Sequence, residues 1–451
     1  FEQRFDSIKK VTFSEGVKEI GNSAFAGCEN ITKVEMANTI TSIGVSAFAG
    51  NSSLTDIVLP SNIKTIESIG TPFYVFDIDV LKNRINYLKS MLPKNVHLCF
   101  AMKANPFVVK EIEDTIEKYE ICSYGEWNIA NELGVAHEKM VISGVYKDET
   151  SMENIINHYK HGEVITIESL NQIKLVDKIT KDKNIVVDVI LRLTSGNQFG
   201  MSEEEIISIL ENRLKYNMLN IMGIQYFSGT QKKLSRRIIK ELEYVDDFVQ
   251  KLKNELGFII EELEFGPGFP VMYFEAETDF DENTYLMEIA DKIKNLKYQG
   301  HITMELGRSI VASCGSYYTK VVDKKTNKEG NFAILDGGMH HIVYYGQMMA
   351  MKKPMLDVIP RRSGNEENWN LVGALCTIND LIVKGLSVNG LELGDVFVFK
   401  NTGAYAMTEG ISLFLSRDLP KVVFVKDGKI EIVRSNIHTY KLNMPFKGGE
   451  N

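Results

Sequence analysis

From about Thr71 to Cys314 the chain alternates short apolar runs with amphipathic stretches, and this alternation restricts its fold more than any other feature. The candidate strands are Val96–Met102, Glu120–Ser123, Met140–Ser143, Val164–Ile167, Val186–Leu193, Ile221–Phe227, Leu263–Phe265 and Ile302–Glu305. Helical patterns such as Ser202–Asn212, Lys233–Leu256 and Glu282–Leu296 lie between them. Eight strands separated by helices imply a parallel sheet, and at that number closure into a barrel is the economical solution. The expected core is therefore an α/β fold, a (β/α)8 barrel over residues 69–314, with its chemistry at the strand C-terminal ends. From about Gly315 the helices thin out, and short strands with turn sequences (DKKTNKEG, KDGK) predict a C-terminal antiparallel β-domain over residues 315–451 that completes the site.

The first 68 residues follow another rule. Ile8 to Asn30 (IKKVTFSEGVKEIGNSAFAGCEN) matches Ile31 to Ser53, and a third copy opens at Leu54, a period of 23 residues. Ile8, Ile31 and Leu54 align, as do Ile20, Ile43 and Ile66, and the Ser-Ala-Phe-Ala-Gly blocks ending at Gly27 and Gly50 fall in register. Such self-similarity means a solenoid, in which each repeat buries its apolar edge only against its neighbours. The segment resembles the bacterial surface-antigen type of leucine-rich repeat. Two and a half repeats are marginal alone, so more copies upstream or support from the next domain is expected. The start at Phe1 rather than Met likewise leaves room for an upstream segment, including a signal peptide.

Composition narrows the partners. With 44% hydrophobic and 25% charged residues in 451, the chain can bury a large core, and its formal charge of -9 argues against a non-specific nucleic-acid binder. No stretch of about 18 apolar residues is present, so no membrane span is expected. Cysteines at 28, 99, 122, 314 and 376 are scattered, odd in number and form no CxxC pair, which points to a reducing compartment and a cytoplasmic protein.

The strand ends carry the chemistry. The run HLCFAMKANP delivers Lys103 to the barrel mouth, where desolvation is expected to lower its pKa and suit it to Schiff-base formation. A lysine that merely snorkels to the rim would look the same. The run EFGPGFP places Gly266 and Gly268 where the backbone can approach a ligand and present N–H groups to an anion. MELGRS sets Glu305 three residues before Arg308; in a phosphopyridine site the carboxylate would keep the ring nitrogen protonated and the arginine would neutralise phosphate. A structural ion pair explains either residue separately but accounts poorly for all three strand ends together. Beyond the barrel, LVGALCTINDL carries Cys376 and Asp380, and NTGAYAM carries Tyr405. A cysteine is a fitting proton donor to a carbanion, and a tyrosine hydroxyl can bind phosphate.

Together, TPFYVFD, FAMKAN, SYGEW, ELGR, ILDGG, GALCTIND and TGAY, spread from Thr71 to Met444, resemble the fold-type III pyridoxal-phosphate decarboxylases, the family of diaminopimelate, ornithine and arginine decarboxylases. The resemblance implies pyridoxal 5'-phosphate as cofactor. It implies a Schiff base on Lys103, Glu305 facing the ring nitrogen, and Phe227, Gly229, Thr230, Gly266, Gly268, Arg308 and Tyr405 around the cofactor. It further implies a homodimer with shared active sites, in which Cys376 is the general acid in the other subunit's site, while Thr377, Asp380 and His340 are the substrate-side candidates.

Departures from the family pattern bear on the substrate. Phe227, in FSGTQ, stands where the family usually has a histidine stacking on the ring, and an aromatic face can still stack. Gly266-Pro267-Gly268 lacks one N–H donor of the usual triple glycine, and ELGR replaces EPGR. Thr377 stands where free diamino-acid decarboxylases place an acid for the distal ammonium, and an uncharged residue cannot offset the desolvation of that cation. DGGMHH (Asp336 to His341), GTQ and LCT resemble a narrower branch that includes siderophore-pathway, exosortase-associated and carrier-protein-linked glutamate decarboxylases. The expected substrate is thus a small-molecule or carrier-linked amino acid with a conjugated or non-cationic distal end, decarboxylated to an amine and carbon dioxide. The alternatives are an amino-acid racemase on the same fold, or a non-catalytic homologue in which the repeats form a binding module. His158 and His161 form an HxxH on a polar segment with no third ligand in view, so no metal is expected.

Overall fold

The computed structural model describes residues 8–445 except 15–16, 18, 22–23, 37–41, 44–46, 48–50, 52, 54–55, 59–68, 278 and 363. Leu54, Ile66 and Gly50 of the repeat alignment lie outside the described residues. Within the rest, the period of 23 reappears as strand register. β1 (Lys10–Thr12), β3 (Lys33–Glu35) and β5 (Asp56–Val58) form a parallel sheet in which Lys10 faces Lys33 and Lys33 faces Asp56. β2 (Glu19–Ile20) and β4 (Ser42–Ile43) pair in the same step, Ile20 opposite Ile43. Ile20, Cys28, Ile31, Val34 and Ala47 are buried in a small core of their own, as expected where each repeat can bury apolar surface only against the next.

The alternating region forms a closed barrel. Its strands are β7 (Val96–Ala101), β8 (Lys118–Ile121), β9 (Met140–Ile142), β10 (Val164–Ile167), β11 (Val187–Leu193), β12 (Leu219–Phe227), β13 (Glu262–Gly266) and β14 (His301–Leu306). All pair in parallel, and β14 returns to β7 with Glu305 opposite Cys99. β9, β10 and β11 are buried at every residue, because a parallel strand is covered on both faces. The second strand begins and ends two residues before the expected Glu120–Ser123, since Ser123 caps the next helix, its side chain accepting from the Glu126 N–H. Asp77, Asp148, Ser169, Ser202 and Asp281 do the same for other helices, each filling one of the donors a helix start leaves open.

The second domain departs from the expected boundary. It comprises β15 (Gly315–Asn327), β16 (Gly330–Leu335), β17 (Leu356–Ile359), β18 (Glu366–Val372), β19 (Leu381–Asn389), β20 (Val396–Lys400), β21 (Lys421–Lys426) and β22 (Lys429–Arg434). β6 (Phe73–Asp77), expected to open the barrel segment at residue 69, joins this sheet instead, antiparallel to β15 and parallel to β21. Its run FYVFD buries Phe73, Tyr74 and Phe76, a strand made to be covered on both faces. The sheet is mainly antiparallel, with parallel pairs β16–β18 and β6–β21. The KDGK turn sits between β21 and β22, with Asp427 and Gly428 both at positive φ, the geometry of a tight hairpin. One continuous apolar core runs from the barrel into this sheet and includes Phe100, Ile310, Tyr74, Tyr317 and Phe399. Among the described residues no helix is long and apolar enough to cross a membrane.

One backbone approach in the barrel leaves no room for a side chain. Pairing between β11 and β12 slips at Val189/Ile190, leaving Met222 as an extra residue, and the following Gly223 lies so close to β13 that a Cβ would fall 1.8 Å from the Glu262 carbonyl oxygen. Gly223→Ala should therefore lower unfolding stability by about 3 kcal/mol or more, read as a lower denaturation midpoint; an unchanged midpoint would show that the strands can part without cost.

Candidate active site

A cavity of about 260 Å³ lies at the C-terminal ends of the barrel strands. Lys103 reaches it from the turn after β7, Phe227 from the end of β12, Gly268 and Phe269 from the loop after β13, and Glu305 to Ser309 from β14 and the turn beyond it. Tyr345, Tyr405 and Glu409 close it from the sheet domain. The lysine-bearing turn is held from that side. Asn105 donates from Nδ2 to the Gly403 carbonyl at 2.9 Å and accepts the Phe107 N–H on Oδ1 at 3.1 Å. The Tyr405 N–H donates to the Ala104 carbonyl at 2.8 Å. Tyr405 sits at φ 63°, a conformation that costs a bulky residue energy and persists where the surroundings impose it.

Charge is concentrated on the lysine. Its Nζ lies 2.6 Å from Glu120 Oε2, 3.3 Å from Cys122 Sγ and 3.7 Å from Glu305 Oε1, with both carboxylates buried. The expected fall in the Lys103 pKa does not occur. Burial does act against its charge, but Glu120, Cys122 and Glu305 carry it well above the ordinary lysine value. Burial favours the neutral form of Glu120 too, yet Lys103 holds that carboxyl below its usual range. Glu305 goes the other way: burial and then the Glu120 charge push it up to about 8. Gln225 Nε2 donates to Glu305 Oε2 at 3.1 Å and fixes its plane.

On the far side of the cavity, Arg308 is buried, donates to the Tyr273 hydroxyl at 2.9 Å, and has its guanidinium 4.6 Å from the Tyr405 ring centre and 4.7 Å from that of Tyr345. Its Nε has no hydrogen-bond partner. Gly268, at φ 68°, packs so that a Cβ would meet the Gly229 carbonyl oxygen at 2.0 Å, and a Cβ on Gly266 would meet the Phe227 ring at 2.4 Å. A phosphorylated pyridine aldehyde fits this donor set: an amine for the aldehyde, a carboxyl for the ring nitrogen, an aromatic side chain, and an arginine with an unfilled donor beside a bare glycine backbone.

Seven expected residues thus line one cavity: Lys103, Phe227, Thr230, Gly268, Glu305, Arg308 and Tyr405. Gly229 and Gly266 back its wall. Cys376 is exposed and Thr377 half-buried on a loop of the sheet domain, outside the cavity of the same chain. Asp380 also lies outside this cavity; its carboxylate is buried and accepts the Met339 and Leu375 N–H groups at 2.7 and 2.8 Å. His340 does not reach the cavity either; it is buried against His341 with ring centres 3.8 Å apart, and burial brings its pKa down to about 3. His158 is occupied by the Asn154 carbonyl at 2.8 Å. Sequence reasoning missed Glu120, Cys122, Gln225, Tyr273 and Tyr345. The signal for the first two was available, since both stand at the end of a barrel strand like the residues that were found.

Residues 78–312 match the family described as pyridoxal-dependent decarboxylase, pyridoxal binding domain, and residues 2–74 match the BspA-type leucine-rich repeat region. The chain is 26% identical to L-glutamyl-[BtrI acyl-carrier protein] decarboxylase of Niallia circulans, across 81% of this chain and 91% of that protein. It is 25% identical to diaminopimelate decarboxylase of Bacteroides thetaiotaomicron, across 80% and 96%. Its fold is similar to the crystal structure of diaminopimelate decarboxylase from Helicobacter pylori complexed with L-lysine, with a TM-score of 0.74 and 24% identity over 84% of this chain and 98% of that one.

The raised carboxyl at Glu305 has a measurable cost. In the cofactor-free protein it keeps its proton up to about pH 8, whereas an unshifted carboxyl releases it near 4.5. Between those values the folded state binds more protons than the unfolded one, so this group's contribution to stability falls as pH rises. Glu305→Gln removes that loss, so thermal unfolding of the apo variant should gain on wild type as pH climbs through this window; a constant difference would contradict the assignment.

Proposed function

Because the chain belongs to the pyridoxal-dependent decarboxylase family, we propose that it removes the α-carboxyl group of an amino acid whose distal end is conjugated or non-cationic, giving an amine and carbon dioxide. The observation that carries this reading is the meeting of Lys103, Glu305, Arg308 and Tyr405, up to 302 positions apart in sequence (103 to 405), around one cavity. Pyridoxal phosphate, when bound, supplies an electron sink for the pair left on the α-carbon as carbon dioxide departs. The chain's own groups do the rest. Lys103 Nζ would hold the aldehyde end. Glu305 would keep a proton on the ring nitrogen, Phe227 would offer its ring as an aromatic neighbour, and Arg308, Tyr405 and the Gly268 N–H would hold the phosphate.

The proton for the α-carbon comes, in this reading, from the thiol of Cys376 in a second copy of the chain. Support lies in where that residue sits: Cys376 is exposed, its neighbour Ile378 is 89% exposed, and Met348, Met349 and Met351 stand exposed on the segment that Gln347 ties to the Ile382 carbonyl. Apolar side chains bared around a cysteine suit the face of a homodimer. Thr377 beside that cysteine offers no charge to a distal ammonium, which favours the tethered class of substrate acted on by the Niallia circulans relative over free diamino acids. Five free thiols are consistent with a reducing compartment such as the cytoplasm.

Purified enzyme should release carbon dioxide from an acylated or carrier-tethered amino acid far faster than from free lysine, ornithine or diaminopimelate, and efficient turnover of those free diamino acids would refute the substrate class. Lys103→Ala should bind the cofactor without its protein-bound visible absorption band; an unaltered spectrum would remove Lys103 from its role. Mixing inactive Lys103→Ala and Cys376→Ala proteins should restore activity, because a mixed dimer holds one intact site, whereas no recovery after confirmed subunit exchange would place Cys376 outside the reaction.

A further inference from the structure

We propose that Cys122 is a positioning residue for Lys103, its thiol closing a three-membered hydrogen-bond ring that fixes the amine at the wall of the cavity. Lys103 Nζ donates to Cys122 Sγ at 3.3 Å and to Glu120 Oε2 at 2.6 Å, and the Cys122 S–H donates to Glu120 Oε1 at 3.1 Å. Both oxygens of Glu120 are thereby used, one by the thiol and one by the amine, and the third N–H of an ammonium is left over for the cavity that Lys103 lines.

The position of the sulfur is over-determined. The Cys122 N–H donates to Glu126 Oε2 at 2.7 Å, while the Glu126 N–H donates to Ser123 Oγ at 3.1 Å, a reciprocal clasp at the start of helix Tyr124–Glu132. From the loop after β9, Gly144 at φ 70° presses on the same residue; a Cβ there would lie 2.4 Å from the Cys122 carbonyl oxygen. Burial and the Glu120 charge hold the proton on the thiol, which keeps it a donor. Sulfur is a weak acceptor, so it orients the ammonium without binding it as tightly as a hydroxyl would. The titratable groups facing this pair are Glu120, Glu126, Glu305, Tyr405 and Lys147. Cys122 is one of the groups that raise the Lys103 pKa, so losing the thiol removes part of what supports the ammonium and lets Lys103 give up its proton at lower pH.

This inference rests on Lys103 being the amine that takes up the cofactor. It is tested by mixing cofactor-free protein with pyridoxal phosphate and following the growth of the visible band across pH, for wild type, Cys122→Ala, Cys122→Val and Cys122→Ser. The alanine and valine variants should take up the cofactor roughly tenfold more slowly at neutral pH, the loss expected for one hydrogen bond to a charged group, with a rate profile displaced to lower pH. Serine should restore the wild-type profile and come within roughly threefold of the rate, since it keeps a donor at the same place. Valine fills the space without a donor, so it decides the matter should the alanine variant fail to fold. Wild-type rates and profiles in the valine variant, or a serine variant as impaired as valine, would overturn the proposal. A wild-type protein that develops no visible band would sink the role of Lys103 itself, a different failure.

Discussion

Barrel closure is the constraint from which the site follows. The last strand can seal the sheet only by lying beside the first, and in the observed register Glu305 stands opposite Cys99. That single pairing brings Glu305 and Arg308 to the turn that carries Lys103, about 200 residues earlier in the chain. Parallel strands all end at the same rim, so residues that follow several of them converge there without further guidance. The cost is a rim where two buried carboxylates crowd around a half-buried amine. They are tolerated because each offsets the desolvation of another, and the result is a lysine held charged and one carboxyl held neutral near physiological pH.

The sheet domain finishes what the barrel begins. Asn105 to Gly403 and Tyr405 to Ala104 stitch the lysine turn to a turn near the other end of the chain. The same Tyr405 then faces Arg308, whose guanidinium is also bordered by Tyr273 and Tyr345. An arginine surrounded by rings keeps its charge while losing freedom, which suits a planar cation that must meet an anion in one orientation. The continuous apolar core between the two domains keeps these facing groups from sliding past one another.

Much of this was legible in the chain itself. The 23-residue period appears as strand register in the repeats, and the rule that barrel chemistry sits at strand ends found Lys103, Gly268, Glu305 and Arg308. Where the reading failed, the missing information was the identity of a neighbour. Desolvation of Lys103 could be inferred from its apolar strand, but the direction of its pKa depends on Glu120, a residue on another strand. The two backbone N–H groups that the Asp380 carboxylate accepts could not be read from the sequence either. FYVFD announced a buried strand without saying which sheet would bury it. Cys122 stands at a strand end as the others do, but its partnership with an amine shows only in their distance.

The placement of β6 has a consequence for how the protein is made. This strand leaves the ribosome ahead of the whole barrel, yet its partners β15 and β21 begin at residues 315 and 421. Until those segments emerge, a flat apolar ribbon with both edges unsatisfied waits on the nascent chain, the type of surface that invites unwanted strand addition. Final assembly is therefore delayed until both partner strands have emerged, and a shortened product ending after the barrel would still expose that ribbon.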